Sequence, residues 1–487
     1  MSARRLSNAD CLQVKYYRYF VDFLDFDAKT EAGGIAAMSR YRPCPPAPGP
    51  LEAYAVQFDS VFNRLSQRQS FRTYLAGLLL PRDRPKTLTA IAGAEPWVQA
   101  QNPKVQQLQF FLSESVWDAS ALAKRTVELL MNEPATAPTA DGVLVLDDTG
   151  DRKKGSATDH VGRQYLGSVG KVDNGIVGVT TLWANEQHYY PLHVLPYTPA
   201  DRFEEGKEDP AFRTKPQLAL TLIESALAAG VAFKAIVADA FYGDHIGLAR
   251  VLTQRGLPYV LSHSGQKSQG WARAELPHSL KDAAEDTSLR DWHAITRQFR
   301  DGHRERWWAT ELTLFGYGPN KPVRAICATT DRRTLPEKAT WYLTTNLTGE
   351  QASLAEVVRL YGLRIWVEES YKRMKDELGW ADFMVRSDRA IRRHWALVCC
   401  AFAFCWWHEA YRARVVDAST EMLPALPPEK APIRRKKNPA AARSPGLSTL
   451  AQGTARSASL AGPDTLAHTL LASLLRQAPT KHARAIH

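Results

Sequence analysis

The sequence predicts an α/β protein, and two patterns in its 487 residues lead to this fold class. Short unbroken apolar runs that end in acids, such as Val143 to Leu146 before Asp147 and Asp148, are typical of buried strands. Segments with apolar residues at helical spacing, such as Pro216 to Ala229, alternate with these runs. Strands that alternate with helices indicate a sheet covered by helices.

The first 135 residues are predicted to be mostly helical. A proline-rich connector, Pro43 to Pro50, interrupts the pattern. Several arginines accompany the helices, so this part is either a solvated helical surface or a DNA-binding domain. The predicted helices are Leu51–Leu65, Ser70–Leu80, Lys104–Phe111 and Val116–Met131.

Residues 136–264 are predicted to alternate strands and helices. Two strand-like runs, Gln164–Val172 and Ile176–Ala184, flank the turn signal at Asp173 to Gly175. The later elements are a strand at His188–Leu195, a helix at Pro216–Ala229, a strand at Phe233–Ala238 before Asp239, a helix at Asp244–Arg255 and a strand at Leu257–Ser262.

Residues 265–346 are expected to form a separate β-rich piece, and the helical pattern returns from Ala355 to Leu378. Beyond Val416 the chain becomes rich in Pro, Ala and Ser and is basic, which predicts a largely disordered tail over 416–487. The predicted strands of the β-rich piece are Trp292–Phe299, Arg306–Phe315, Val323–Thr329 and Thr340–Thr345.

The charge balance favours a polyanionic partner, because 62 Lys and Arg face 51 Asp and Glu, for a net charge of +11. An excess of this size also occurs in proteins that bind no polyanion. The longest apolar run, Trp395 to Trp407, is too short to cross a bilayer, and the polar start does not resemble a signal peptide. The six cysteines form no C-x-x-C pair or zinc spacing. We therefore expect an intracellular protein without a membrane partner.

Acids at the ends of two predicted strands are candidate ligands for a hard cation. Asp147 and Asp148 end one strand and Asp239 ends another. Ligands gather at the carboxyl ends of strands in open α/β sheets, and carboxylates suit Mg²⁺. Strand-end Asp residues are also common turn formers and helix caps.

The helix after Ala355 aligns four functional groups. Tyr361, Arg364, Glu368 and Lys375 fall within an arc of about 60° on an ideal helix. A solvated charged face would also have this pattern. Tyr and Arg beside an acid equally suit a face that meets phosphates.

These residues match the spacing Y-x2-R-x3-E-x6-K, and the chain resembles the DDE transposases of bacterial insertion sequences. Further blocks, in the same order, resemble the insertion sequence 701 branch, and the resemblance covers about residues 50–410. The blocks are Asp148–Gly150 with Lys153–Gly155, Arg163–Tyr165 with Gly170–Val172 and Asn174–Gly175, Phe212–Pro216, and Ala238–Asp244.

The resemblance implies an RNase-H-like catalytic core interrupted by a β-rich insertion, and the helical pattern before it predicts a preceding helical N-terminal domain. We expect 1–135 to be a helical DNA-binding domain, 136–264 and 347–415 to form the core, and 265–346 to be the insertion. The tail, 416–487, and residues 1–45 lie outside the resemblance. The resemblance assigns the catalytic and metal-binding triad to Asp148, Asp239 and Glu368, taking the acid directly before Thr149 as the first. The strand pattern alone does not separate Asp147 from Asp148.

The resemblance also implies the activity. It implies a DNA transposase that binds terminal inverted repeats and performs two-metal phosphodiester cleavage and strand transfer with Mg²⁺, for which Mn²⁺ substitutes. The partners would be double-stranded DNA, as transposon ends and target, and a second copy of the chain, in the bacterial cytoplasm and on the nucleoid. The predicted DNA-binding residues are Tyr361, Arg364, Lys375, Lys153, Lys154 and Arg163.

Two other classes of function share features with this sequence. A phosphatase of the haloacid dehalogenase kind needs two Asp residues two apart, whereas Asp147 and Asp148 are adjacent. A transposase-derived protein that binds DNA without cutting it remains the alternative. In the β-rich piece, four tryptophans are candidates either for base stacking or for a β-domain core: Trp292, Trp307, Trp308 and Trp341.

Overall fold

The computed structural model describes residues 49–81, 84–94, 101–266, 272–273, 276–277, 279–299, 302–312 and 324–421. The predictions for residues 1–48 and for the chain after Glu421 lie outside these residues. Within them, no helix is long and apolar enough to cross a membrane.

Helices occupy both ends of the described chain, and the described residues between 50 and 132 are mostly helical. The 3₁₀ turn Val56–Val61 continues the first helix. The helices are α1 Pro50–Ala55, α2 Leu65–Leu79, α3 Leu88–Ile91, α4 Pro103–Ser113, α5 Ala119–Asn132, α6 Lys215–Ala228, α7 Ala240–Gly243, α8 Ile246–Gln254, α9 Leu280–Glu285, α10 Leu354–Gly362, α11 Ile365–Asp376 and α12 Asp388–Glu421.

The N-terminal helices pack on α12, whose apolar stretch around Trp395 is buried as the sequence predicts. The Tyr54 hydroxyl donates to the Cys400 carbonyl at 3.1 Å, and Arg393 donates to the Leu112 carbonyl at 2.8 Å. Apolar burial and these buried polar contacts join the two ends of the chain in one core.

Most strands of the described residues belong to one mixed sheet of ten strands. Its order is β2-β3-β1-β5-β6-β12-β11-β10-β9, and β4 also pairs with β3. A two-residue hairpin, β7 and β8, lies outside it. The strands are β1 Val143–Arg152, β2 Gly162–Leu166, β3 Lys171–Ala184, β4 Tyr189–Tyr197, β5 Ala235–Ala238, β6 Tyr259–His263, β7 Ala272–Arg273, β8 Leu276–Pro277, β9 His293–Gln298, β10 Arg304–Leu312, β11 Arg324–Thr329 and β12 Thr340–Thr345.

The part of the sheet that carries the acids has the order β4-β3-β1-β5-β6. Strands β1, β3 and β4 form an antiparallel meander, and β5 and β6 run parallel to β1 after helical crossovers. This order, with helices between the parallel strands, is consistent with an RNase-H-like core. The mixed α/β fold class is therefore confirmed.

The predicted turn at Asp173 to Gly175 is wrong, since these residues lie inside β3. Gly175 pairs with β1 and β2 at once, and a Cβ there would lie 2.5 Å from the Asp151 carbonyl oxygen. The Asn174 side chain donates to the Lys153 carbonyl instead of closing a turn. The chain reverses between β2 and β3, near Gly170, whose φ is 69°. Close packing of the strands therefore favours glycine at position 175, although local propensity assigns this glycine to a turn.

The β-rich piece is not separate from the rest of the sheet. Strand β12 pairs antiparallel with β6, so β9 to β12 extend the sheet that begins with the meander. A small second core, which includes Leu280 and Trp292, lies under these strands.

The helix predicted from Ala355 to Leu378 is two helices. Helix α10 ends at Gly362 and α11 begins at Ile365, with Leu363 and Arg364 in a turn of helical dihedral angles between them. The break directly precedes Glu368, which lies in the first turn of α11.

Candidate active site

Two carboxylates come together where β1 and β5 leave the apolar part of the sheet. The parallel register pairs Leu146 with Ala238, so Asp147 and Asp239 follow side by side. Side chains alternate between the two faces along a strand, so Asp147 and Asp151 point to one face and Asp148 points to the other.

Helix α11 covers the face that carries Asp147. Lys375, near the end of α11, places its Nζ 2.8 Å from Oδ1 of Asp151. Tyr371, in the middle of α11, bonds through its hydroxyl with Oγ1 of Thr180, the residue paired with Asp147 in the sheet. The helix that contains Glu368 therefore lies over Asp147.

Arg364 links three of the acids. Its Nη2 lies 3.4 Å from Oδ2 of Asp147 and 3.8 Å from Oδ2 of Asp239. Its Nη1 lies 3.1 Å from Oε1 of Glu368. The side chains of Asp147 and Arg364 are 12% and 17% exposed, whereas that of Glu368 is 60% exposed. The buried Asp147, the partly exposed Asp239 and the exposed Glu368 thus share a single guanidinium.

Asp148 has different partners on the opposite face. Lys215, the first residue of α6, places Nζ 3.1 Å from Oδ1 of Asp148. The buried Tyr242 hydroxyl donates to Oδ2 of Asp148 at 3.4 Å. Among the ion pairs of the described residues, Asp148 is held by α6 and not by Arg364.

Burial and mutual repulsion raise the pKa values of the adjacent acids. Burial raises the pKa of Asp147 to about 8, and the carboxylates of Asp239 and Asp148 add to the shift while Arg364 opposes it. Burial also raises the pKa of Asp148, and the Lys215 ammonium is the main opposing influence. Both carboxyl groups are therefore harder to ionise here than a carboxyl group in water.

Asp239 has a second task, as a helix cap. Its Oδ1 accepts hydrogen bonds from the backbone N–H of Phe241 at 3.1 Å and of Tyr242 at 3.4 Å. The capping role that strand-end Asp residues often fill is therefore present here. Its Oδ2 faces Arg364, so one carboxylate oxygen remains directed at the acid cluster.

Binding of a metal ion at this cluster would require the side chains to rearrange. Within the described parts of the chain, no three His, Cys, Asp or Glu side chains stand close enough together to hold a metal ion. The Arg364 guanidinium lies between the acids. The carboxylate oxygens of these acids still suit a hard divalent cation, which could neutralise them in place of the Arg364 guanidinium.

The predicted DNA-binding residues fall into two groups. Tyr361 is buried with its ring edge-on to Trp341, and Lys375 is paired with Asp151. Lys153 donates to the carbonyls of residues 381 and 383, and burial lowers its pKa to about 8. Tyr361, Lys375 and Lys153 therefore make contacts within the protein, as Arg364 also does. The two exposed members of the predicted set are Lys154 and Arg163.

Three residues of the site were missed by sequence reasoning. Lys215 and Tyr242 hold Asp148, and Tyr371 lies beside Asp147 and bonds Thr180. Lys215 and Tyr242 belong to the blocks Phe212–Pro216 and Ala238–Asp244, which resemble the family, but the sequence does not indicate what these two side chains contact. Tyr371 lies three residues after Glu368, on the side of α11 that a helical projection places next to it.

The sheet order is consistent with an RNase-H-like core, and comparison with known proteins gives the family of the chain. Residues 57–303 match the model of the DDE superfamily endonuclease family, and residues 209–404 match that of the transposase DDE domain. The chain is 33% identical over 348 residues to a protein of Microchaete diplosiphon described as "Probable transposase for insertion sequence element IS701". That alignment covers 71% of this chain and 84% of the relative. The chain belongs to the DDE transposases, in the group similar to the transposase of IS701.

Proposed function

We propose that this transposase binds the terminal inverted repeats of its element and performs metal-dependent cleavage and strand transfer on their DNA. The observation that supports this most is the convergence of Asp147, Asp239 and Glu368 on Arg364, at the edge of a sheet with RNase-H order. Strand transfer needs acids of this kind beside the scissile phosphodiester.

The metal-binding acids in this proposal are Asp239, Glu368 and Asp147; the resemblance assigns Asp148 instead of Asp147, and that assignment stays a prediction. The reason for proposing Asp147 is that Asp147 and Asp148 point to opposite faces of β1. Asp147 shares its face with the helix that carries Glu368, whereas Asp148 points to Lys215 on the other face. A one-residue change along a strand reverses the face, so the two acids are not interchangeable.

The chain's own groups would prepare the site. Two divalent cations, Mg²⁺ or Mn²⁺, supply an activated water or 3′-hydroxyl and stabilise the leaving oxygen when bound. Glu368, the exposed acid, can turn toward Asp147 and Asp239. Arg364, released from the acids, presents a planar fork that suits a DNA phosphate. Lys154 and Arg163 are exposed and suit backbone phosphates.

The remaining expectations belong to the same proposal. Residues 1–135 would contribute DNA binding, and 265–346 would be an insertion in the core. A homodimer would hold the two transposon ends in the synaptic complex. Because the partner is double-stranded DNA, as transposon ends and target, we infer action in the bacterial cytoplasm and at the nucleoid.

A cleavage assay tests this function. The substrate is a labelled duplex that ends in the inverted repeat flanking the reading frame, with Mg²⁺, Mn²⁺ or excess chelator. We expect metal-dependent nicking at the repeat end and no product with chelator. Specific binding without nicking in either metal would favour the alternative, a transposase-derived DNA-binding protein. Cutting that is unchanged by chelator would refute the metal dependence.

A further inference from the structure

A half-buried arginine lies in a cavity beside the signature helices. Arg297, on strand β9, packs its guanidinium against three aromatic rings, with its central carbon 4.5 Å from the Trp341 centroid, 4.6 Å from Trp307 and 4.9 Å from Phe299. Stacking on aromatic faces leaves the in-plane N–H donors of a guanidinium available.

These donors have no acidic partner among the described residues. Glu305 is opposite Arg297 in the sheet, but its carboxylate accepts from the Trp307 indole at 3.0 Å and lies 3.4 Å from His303. Burial lowers the pKa of Arg297 to about 10, with Glu305 opposing the shift. The structure thus holds a cation whose charge is not neutralised by a bonded acid.

The cavity around Arg297 measures about 590 Å³ and is large enough for a nucleotide-sized group. One wall is formed by the end of α10 and the start of α11, with Gly362, Leu363 and Trp366. Glu186 and Glu356 also line the cavity, and Arg359 pairs with both. Of the cations that line the cavity, Arg359 is therefore occupied and Arg297 is available.

The Arg297 guanidinium packs closely against Gly362, at the end of α10. A Cβ at Gly362 would lie 2.9 Å from Nη2 of Arg297, so the end of the guanidinium packs directly on this glycine and would have to move slightly for any larger residue. Gly362 is two residues before Arg364, which holds the acid cluster. An anion bound by Arg297 would therefore lie against the same helix pair that carries Glu368.

We propose that Arg297 binds a backbone phosphate of DNA, and that this subsite guides a strand along α10 and α11 toward the acids. The proposal rests on the proposed function only for the identity of the ligand. A phosphate offers oxygens that match the guanidinium fork, and aromatic walls beside it accommodate the attached nucleoside.

Arginine footprinting tests contact directly. The full-length protein is treated with phenylglyoxal, with and without a short mixed-sequence DNA duplex in chelator, and modified peptides are quantified by mass spectrometry. We expect the duplex to slow modification of Arg297. Equal modification with saturating duplex would overturn the proposal. Protection that arises without DNA as protein concentration rises would mean that a second copy covers the cavity, and would also overturn it.

Salt-dependent binding of the same duplex tests the geometry. Arg297→Gln should lower the slope of log K against log salt by about 0.9, the value for one lost duplex phosphate contact. Arg297→Lys should keep the slope and weaken binding, because an ammonium lacks the fork. Arg250→Gln removes an exposed arginine of α8 outside the cavity and serves as the charge-matched control.

Gly362→Leu separates position from charge. It leaves the net charge unchanged and replaces glycine with a better helix former, but its branched side chain would occupy the space where a Cβ already lies 2.9 Å from Nη2 of Arg297. The guanidinium would have to leave this wall, so we expect a loss of slope close to that of Arg297→Gln. A wild-type slope in Gly362→Leu would overturn the proposal, because placement would not matter. These assays need no metal and no repeat sequence, so their failure is distinct from failure of end cleavage.

Discussion

The two adjacent acids of β1 offer a paired test of the active site. Asp147→Asn and Asp148→Asn make the same chemical change one residue apart, on opposite faces of one strand. Asp147 faces Arg364 and Asp239, whereas Asp148 faces Lys215. We expect the first substitution to abolish cleavage and the second to impair folding stability while cleavage persists.

The expected loss of activity follows from the work of a metal ligand. Charge stabilisation by bound metal contributes several kcal/mol to the transition state, and about 4 kcal/mol corresponds to roughly 10³-fold in rate. Asp147→Asn should therefore reduce nicking by at least about 10³-fold. Its stability should fall less than that of Asp148→Asn, because burial disfavours the charged form of Asp147 and Arg364 keeps Asp239 and Glu368 as partners.

The expected loss of stability in Asp148→Asn follows from its partner. The Lys215 side chain is only 14% exposed, so the substitution leaves a largely buried ammonium without its carboxylate. Removing one partner of a buried ion pair costs about 3 kcal/mol or more. Asp148→Asn with Lys215→Met removes both charges and should recover most of this free energy of unfolding.

The assays are nicking of the end duplex, urea unfolding, and the rise in melting temperature on adding Mg²⁺ in the absence of DNA. Wild type and Asp148→Asn should both be stabilised by Mg²⁺, and Asp147→Asn should not. An active Asp147→Asn beside an inactive Asp148→Asn of wild-type stability would refute the face argument and restore the sequence-based assignment.

Three further predictions concern other residues. Glu368→Gln should abolish nicking and leave end binding near wild type, and residual nicking above about 1% of wild type would contradict its role as a metal ligand. Lys153 has its pKa lowered to about 8 by burial, so between pH 8 and 10 the unfolded chain binds more protons and stability should rise with pH, by at most about 1.4 kcal/mol per unit. Urea unfolding of Lys153→Met, which keeps an apolar contact with Phe383, should lack this rise, and an identical rise would show that another group causes it. Truncation after Val416 should reduce the salt slope of DNA binding and keep site preference, which competition between repeat and random duplex would measure.

Sequence alone determined the elements and the family. Apolar runs and helical spacing predicted most of the longer strands and helices of the described residues, because burial of one face imposes a regular period on the sequence. The short elements α3, α7, α9, β7 and β8 were not predicted. The spacing from Tyr361 to Lys375 and the further blocks indicated a DDE transposase, which the family matches confirm. Local propensity failed at Gly175, where close packing of three strands decides the conformation.

The contacts among the functional groups follow from packing of segments that are far apart in the sequence. Asp147 and Asp148 are equivalent in the sequence pattern, and the choice between them depends on which face of β1 the helix α11 covers. Helical spacing placed Arg364 and Lys375 beside Glu368, but their acidic partners are far away in sequence, on β1 and at the end of β5. Arg297 shows no motif, and its surroundings come from three strands and a helix. Contacts between distant segments have no local period, so the folded chain alone defines them.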